Sequence, residues 1–227
     1  LKAQALLADR VGFTERGGGC TVFLVGEDLA LSAGHCLFEL GDPVDFSAVI
    51  KSQDPTEQGP QTTISEILVL EDSLDRDYAV LRLADSVLNS GTEPLSLRDC
   101  APEPKQSLWI IQYPKLSTNG LQTPRSRQIA ADEAAEGVDA LGAKNGTLAA
   151  PMEGPNWFAH LVDTEQGSSG APVLDSEGLV IGLHTSRRSN GAAGNEALRM
   201  DLLLDASERL MELAADGSLQ IEACSGT

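Results

Sequence analysis

The sequence predicts an all-β fold, an antiparallel barrel or sandwich, with an α-helix at its C-terminal end. Two observations carry this expectation. Ten short runs rich in β-branched and apolar residues, each bounded by turn formers, fill the middle of the chain. Helical periodicity is confined to the two ends.

Taken in order, LKAQALLADR (1–10) is short and mildly amphipathic, a weak helix. CTVFLVG (20–26), LALSAG (29–34), FSAVIKS (46–52), TTISEILVL (62–70) and YAVLRLA (78–84) follow as strands, because their side chains suit a pleated, half-buried surface. LRDCAPEPKQS (97–107) carries two prolines, which a central strand does not accommodate, and marks a border between two β halves. SLWIIQYP (107–114), PRSRQIA (124–130), WFAHLVD (157–163), APVLD (171–175) and GLVIGLHT (178–185) form the second half, the last two joined by an Asp-Ser-Glu-Gly turn. Residues 131–156, rich in Ala, Gly and acids, read as a surface insertion or as hiding one weak strand. MDLLLDASERLMELAAD (200–216) places apolar residues three and four apart, the stripe of a good helix. The expected layout is one domain over 1–227: a first half at 11–100, a second at 101–200 and a helix at 201–215. Neither an internal repeat nor a low-complexity tract interrupts it.

Charge narrows the partners. With 34 acidic against 16 basic residues, the formal net charge of −18 repels phosphate backbones and anionic lipid. Nucleic acid and membrane are therefore not expected as partners. No stretch approaches the roughly 20 apolar residues of a membrane span, and the first residues lack the regions of a signal peptide. The four cysteines, Cys20, Cys36, Cys100 and Cys224, have no CxxC spacing, so two disulfides and buried free thiols both remain open. No group of His, Cys or acids has metal-ligand spacing, so neither a metal nor another cofactor is expected.

Three positions have chemical potential. His35 ends the apolar run LALSAGHC, where a strand terminus holds an imidazole rigidly yet within reach; alone, it reads sooner as a packed histidine satisfied by the backbone. Asp77, in LDRDYAVLRL, abuts a buried strand, so its carboxylate is drawn inward if it finds a partner. Ser169 lies in DTEQGSSGAP between glycines that let the chain turn sharply and let a carbonyl oxygen approach main-chain amides. A serine is a poor nucleophile unless a base takes its proton. Together the three supply a base, an orienting acid and a nucleophile in the order His, Asp, Ser.

LALSAGHC, DRDYAVLRL and DTEQGSSGAPV resemble the three signature blocks of the chymotrypsin-like (trypsin-fold) serine peptidases. IIQYP, SRQIA and VIGLHT are similar to further segments of the bacterial branch that includes the V8-type glutamyl endopeptidases. The resemblance spans roughly residues 18–203, with unmatched stretches around 40–60 and 131–156. It implies two packed six-stranded antiparallel β-barrels with a cleft between them. It also implies a serine endopeptidase, monomeric, acting on protein or peptide substrates in a secreted or periplasmic setting. His35 would be general base and acid, Asp77 its orienting partner and Ser169 the nucleophile, with the amides of Gly167 and Ser169 as oxyanion hole. Ser168 departs from the animal enzymes, which have an aspartate there to pair with a freed N-terminus.

For the specificity pocket the resemblance gives two cues. Asp163 matches the carboxylate with which trypsin-like members bind Arg or Lys, whereas His184, with Thr164 as nearby hydroxyl, matches the histidine of glutamyl endopeptidases. Arg187 and Arg188 would add positive potential at the rim, and the expected P1 side chain is charged, basic before acidic. The family often joins its cysteines at the positions of Cys20 and Cys36, which leaves Cys100 and Cys224 to pair. His160, with Trp109 and Trp157, reads as packing of the second half. A homologue that has lost catalysis and binds proteins through the same cleft is the alternative.

Overall fold

Side chains of a strand alternate between its two faces, so a run that is apolar at every position must be covered on both. That is how the apolar strands are used here. The computed structural model describes residues 7–46, 60–73, 75–88, 93–103, 106–114, 117–118, 121–122, 129–131, 143–144, 147–148, 156–160, 162, 164–187 and 195–224. In the first half, β1 (Val11–Thr14), β2 (Cys20–Leu24), β3 (Leu29–Ser32), β4 (Pro43–Asp45), β5 (Gln61–Asp72) and β6 (Asp77–Leu83) close into an antiparallel barrel. The order is β1-β2-β3-β6-β5-β4, with Phe13 opposite Asp45 completing the ring.

The second sheet adds β7 (Leu97–Asp99), β8 (Leu108–Gln112), β9 (Ile129–Ala131), β10 (Trp157–His160), β11 (Pro172–Asp175), β12 (Val180–Arg187), β13 (Asn195–Arg199) and β14 (Ile221–Ala223). Six of these follow the antiparallel path β9-β8-β11-β12-β13-β10. β7 joins β12 in parallel through Leu97 and Val180, and β14 lies parallel to β7. The all-β, chymotrypsin-like architecture is thus present: a closed six-stranded barrel, a C-terminal helical segment and, where a second six-stranded barrel was expected, an eight-stranded sheet that does not close among the described residues.

Three apolar layers result. Val22, Leu24, Ala30, Ile64, Ala79, Leu81 and Leu83 fill the first barrel. Their sequence neighbours Phe23, Leu31, Tyr78 and Val80 point the other way and pack with Trp109, Ile111, Leu183 and Leu198 of the second sheet. Leu108, Ile110, Phe158, Val173, Ile181 and Ala197 form the third layer. Each fully buried large side chain contributes about 1.5–3 kcal/mol, and the middle layer fixes the two halves against one another.

Several sequence expectations need amendment. Of LKAQALLADR, the described part beyond Leu7 is a single 3-10 turn at Ala8–Arg10, which runs into β1, a strand too short to show a period. FSAVIKS contributes Phe46 after β4, and its remaining residues lie outside the described ones. The helix drawn through 201–215 is two helices, α1 (Met200–Ala206) and α2 (Glu208–Ala215), divided at Ser207. Ser207 takes an extended conformation (φ −105°, ψ 97°), and its Oγ accepts the N–H of Leu210 as an N-cap. It also accepts the Tyr78 hydroxyl at 3.0 Å, which ties the break to the first barrel. Leu203, Leu204, Leu210 and Leu213 still pack into the middle layer from both helices. Among the described residues no helix is long and apolar enough to cross a membrane.

Candidate active site

His35 stands on the 3-10 turn Gly34–Cys36 at the end of β3. The turn lies so close to the neighbouring strands that a Cβ on Gly34 would come within 1.8 Å of the Glu71 carbonyl oxygen, hence glycine there. The following residue, Leu37, adopts a left-handed conformation (φ 53°) and its N–H closes the turn onto the Gly34 carbonyl at 2.9 Å. Arg16 Nε donates to the Leu37 carbonyl at 2.8 Å and holds the turn from outside.

Asp77 is the first residue of β6 and is buried. Both of its oxygens serve His35: Oδ2 lies 2.7 Å from Nδ1, and Oδ1 accepts the main-chain N–H at 2.8 Å. This double grip fixes ring and backbone together and leaves Nε2 as the ring atom not engaged by Asp77. The His35 pKa is raised above 6.5, chiefly by the hydrogen bond to Asp77, against burial, which lowers it.

Ser169 sits in the loop 164–171, which abuts the first barrel. Thr21 N–H donates to the Ser169 carbonyl and Thr21 Oγ1 to the Gly167 carbonyl, both at 2.8 Å. Tyr113 N–H in turn donates to Thr21 Oγ1 at 3.0 Å, and Ser32 Oγ to the Thr21 carbonyl at 2.7 Å. Gly170 (φ 86°) touches the strand that ends at His35, where a Cβ would fall 2.2 Å from the Thr21 oxygen and 2.9 Å from the Ala33 nitrogen. Ser169 and His35 therefore belong to segments in backbone contact. Ser169 Oγ itself donates to the Thr185 carbonyl at 3.2 Å.

The amides of residues 167–171 divide into two groups. Those of Ser168, Gly170 and Ala171 donate to the carbonyls of Glu165, His184 and Ser168. Those of Gly167 (φ 99°) and Ser169 have no acceptor among the described residues. Unpaired amides away from bulk water are costly, and such donors suit an incoming oxygen. Buried Ser168 is a turn residue, its Oγ accepting Glu165 N–H at 3.2 Å.

The proposed pocket residues fare differently. Thr164 is half-buried at the start of the loop. Asp163 and Arg188 lie outside the described residues, as does the Arg187 side chain. His184 is 3% exposed on β12, and its Nδ1 lies 3.1 Å from Nε2 of buried His160. Burial lowers the His184 pKa to about 4, against a hydrogen bond to the Glu196 main chain, and the positive charge of His35 adds to the lowering. Burial and then His184 push His160 well below 6.5. Both imidazoles are neutral at neutral pH. His160 is thus packed within the second half, with a specific partner that WFAHLVD did not announce.

Two disulfides are present, Cys20–Cys36 and Cys100–Cys224. The first links the start of β2 to the residue after His35, and the second links the ends of β7 and β14. By loop-closure entropy they contribute about 3 and 5 kcal/mol. Cys20, His35 and Cys36 each offer a donor atom within 4.8 Å of the others, although the S–S bond engages both sulfurs. The residue sequence reasoning missed is Thr21, the latch between loop and barrel; a threonine inside an apolar strand carries no local sign of such a role.

A family profile described as the trypsin-like peptidase domain matches residues 20–183. Among solved structures, a Glu endopeptidase in complex with MPD shares 18% identity at a TM-score of 0.63, covering 93% of this chain and 91% of that one. Two inactivated protease paralogues of the scabies mite are also similar. S-I1 shares 16% identity (TM-score 0.66, covering 92% and 97% of the two chains) and S-D1 14% (0.67, 95% and 96%). At these identities the likeness is one of fold. No curated protein sequence matches the chain.

Proposed function

Because the chain belongs to the trypsin-like peptidase domain family, we propose that it is a serine endopeptidase working through an acyl-enzyme. The observation that carries this is the double grip of Asp77 on His35 at the strand end against which the Ser169 loop is latched. Ser169 Oγ turns from the Thr185 carbonyl toward His35, and Nε2 takes its proton as Oγ attacks the substrate carbonyl carbon. The π electron pair moves to the substrate carbonyl oxygen, whose negative charge is received by the amides of Gly167 and Ser169, each worth about 3 kcal/mol in the transition state. The C–N bond breaks as His35 returns the proton to the leaving amine. Water then repeats the cycle and releases the acid.

Specificity follows from charge. His184 is neutral and hydrogen-bonded within the interior, so it brings no positive charge to a substrate carboxylate. Asp163, by its position six residues before Ser169, is the acid for a basic P1 side chain, and Thr164 stands beside it. We assign the chain to the bacterial branch on IIQYP, SRQIA and VIGLHT, as a monomer, secreted or periplasmic. Two disulfides support an oxidising compartment.

A second reading rests on Ser169 Oγ donating to Thr185, an arrangement that leaves the serine disengaged and suits a silent, protein-binding homologue. A fluorophosphonate probe separates the two. The expected result is stoichiometric labelling abolished by Ser169→Ala; a folded wild-type protein that stays unlabelled sinks the peptidase reading. Cleavage of a diverse peptide library, with products after Arg or Lys, tests the pocket, and products after Glu reverse its assignment.

A further inference from the structure

We propose that, when the Cys20–Cys36 bond is reduced, the chain binds a thiophilic divalent cation, zinc foremost, between Cys20 Sγ, Cys36 Sγ and a ring nitrogen of His35. The donors are already assembled, all within 4.8 Å of one another. Zinc bonds of about 2.3 Å to sulfur and 2.0–2.1 Å to nitrogen give a tetrahedral site donor–donor edges of about 3.6–3.8 Å. Opening the S–S bond and a small relaxation of the sulfurs reach that spacing. Two thiolates and an imidazole select zinc over magnesium or calcium. The side chain of His35 is 37% exposed, so a fourth vertex beside it is open to water.

The scaffold does not depend on the S–S bond alone. Cys20 opens β2, inside a closed barrel, and its neighbour Thr21 is latched to the Ser169 loop. Cys36 lies on a turn closed by Leu37 N–H and held by Arg16. The Gly17 segment presses on it so closely that a Cβ there would be 2.9 Å from Cys36 Cα.

The chemistry balances. A dithiol gives two electrons and two protons to the S–S bond and becomes a disulfide, leaving two thiols at Cys20 and Cys36. The cation displaces both thiol protons and takes the lone pair of neutral His35. If Nε2 binds, the base is occupied directly, with Asp77 orienting the ring from Nδ1. If Nδ1 binds, the cation replaces Asp77. On the reading of His35 as general base, either geometry stops hydrolysis. The peptidase is thereby held silent wherever thiols stay reduced and zinc is present; an external disulfide then takes two electrons from the two thiolates and, with two protons, leaves as two thiols, and the re-formed Cys20–Cys36 bond ejects the cation and releases activity.

Both cysteines are buried, at 1% and 0% exposure, so reduction is slow and is driven to completion with tris(2-carboxyethyl)phosphine and verified by thiol titration. Cobalt(II) is then the probe. The expected result is a near-ultraviolet thiolate-to-cobalt band from the reduced wild type, displaced by zinc and absent from Cys20→Ala/Cys36→Ala. In His35→Ala, whose thiols remain, cobalt affinity falls more than about tenfold. The site is overturned by no band from reduced protein, by an equal band in either variant, or by loss of near-ultraviolet circular dichroism on reduction. These readings do not use activity, so they stand apart from the peptidase assignment. In the activity arm, zinc inhibits the reduced protein and spares the oxidised one. Full hydrolysis by zinc-loaded reduced protein overturns capture of the base.

Discussion

Replacing Asp77 by asparagine tests the central geometry, because both carboxylate oxygens face donors. Oδ2 meets Nδ1–H and Oδ1 meets the main-chain N–H of His35. An amide can present only one oxygen. With that oxygen kept on the main chain, its NH2 group confronts Nδ1, and the ring answers by moving its proton to Nε2. A protonated Nε2 cannot accept the serine proton, so kcat falls by about 10⁴ at neutral pH. That is about 5.5 kcal/mol of barrier. The pH dependence gives a second reading. Asp77 is the main cause of the raised His35 pKa while burial lowers it, so in the variant the acid limb of residual activity moves to lower pH. Stability follows the same sign. A raised folded-state pKa contributes stability that is fully present below about pH 6.5 and is lost as pH rises through the folded value. Asp77→Asn should therefore cost more at pH 5.5 than at pH 9. Steady-state kinetics on a peptide ester from pH 5 to 9 and urea unfolding at the two pH values make the measurements. A variant within tenfold of wild-type kcat, with its acid limb unmoved, would refute the reasoning.

Other substitutions probe the parts that place the site. Gly170→Ala combines a positive φ with a Cβ 2.2 Å from the Thr21 oxygen, so it should destabilise by about 3 kcal/mol or more and slow fluorophosphonate labelling as the loop leaves β3; urea unfolding at wild-type midpoint would contradict this. Ser207→Ala removes the cap of α2 and the acceptor of the Tyr78 hydroxyl, for about 2 kcal/mol in thermal or urea unfolding. His184 is neutral in the fold with its pKa near 4, so the unfolded chain binds the extra proton and stability falls as pH drops from about 6.5 to 4. His184→Gln should flatten that part of the pH–stability profile by about 3 kcal/mol, and an unchanged slope would show the histidine to be solvated.

The strands were legible because they are buried on both faces: CTVFLV and YAVLRL serve the barrel interior with one set of side chains and the middle layer with the other. β1, β4, β7, β13 and β14 were not, since three to five residues hold no clear period; β1 and β4 take their place from ring closure through Phe13 and Asp45. The helical stripe of 200–216 was real, but periodicity is blind to a single residue that caps a new helix in the middle of the stripe. Ser207 breaks the helix because its hydroxyl is worth more as acceptor for Leu210 and Tyr78 than as a solvated interior residue.

The candidate site divides along the same line. His35, Asp77 and Ser169 stood out through their blocks, yet the contacts between their segments run through Thr21 and Ser32, whose local sequence is silent, and through Gly170, read in the sequence only as a turn former. Spacing is equally silent on the donor cluster of Cys20, His35 and Cys36. Cys20 lies sixteen residues from Cys36, a separation typical of a loop-closing disulfide, and His35 drew notice as a base. The 3-10 turn brings all three donors to one point because a histidine required at the end of β3 and a disulfide required to hold that end must occupy adjacent positions. A clamp built that close to a base can, once opened, hold the base itself.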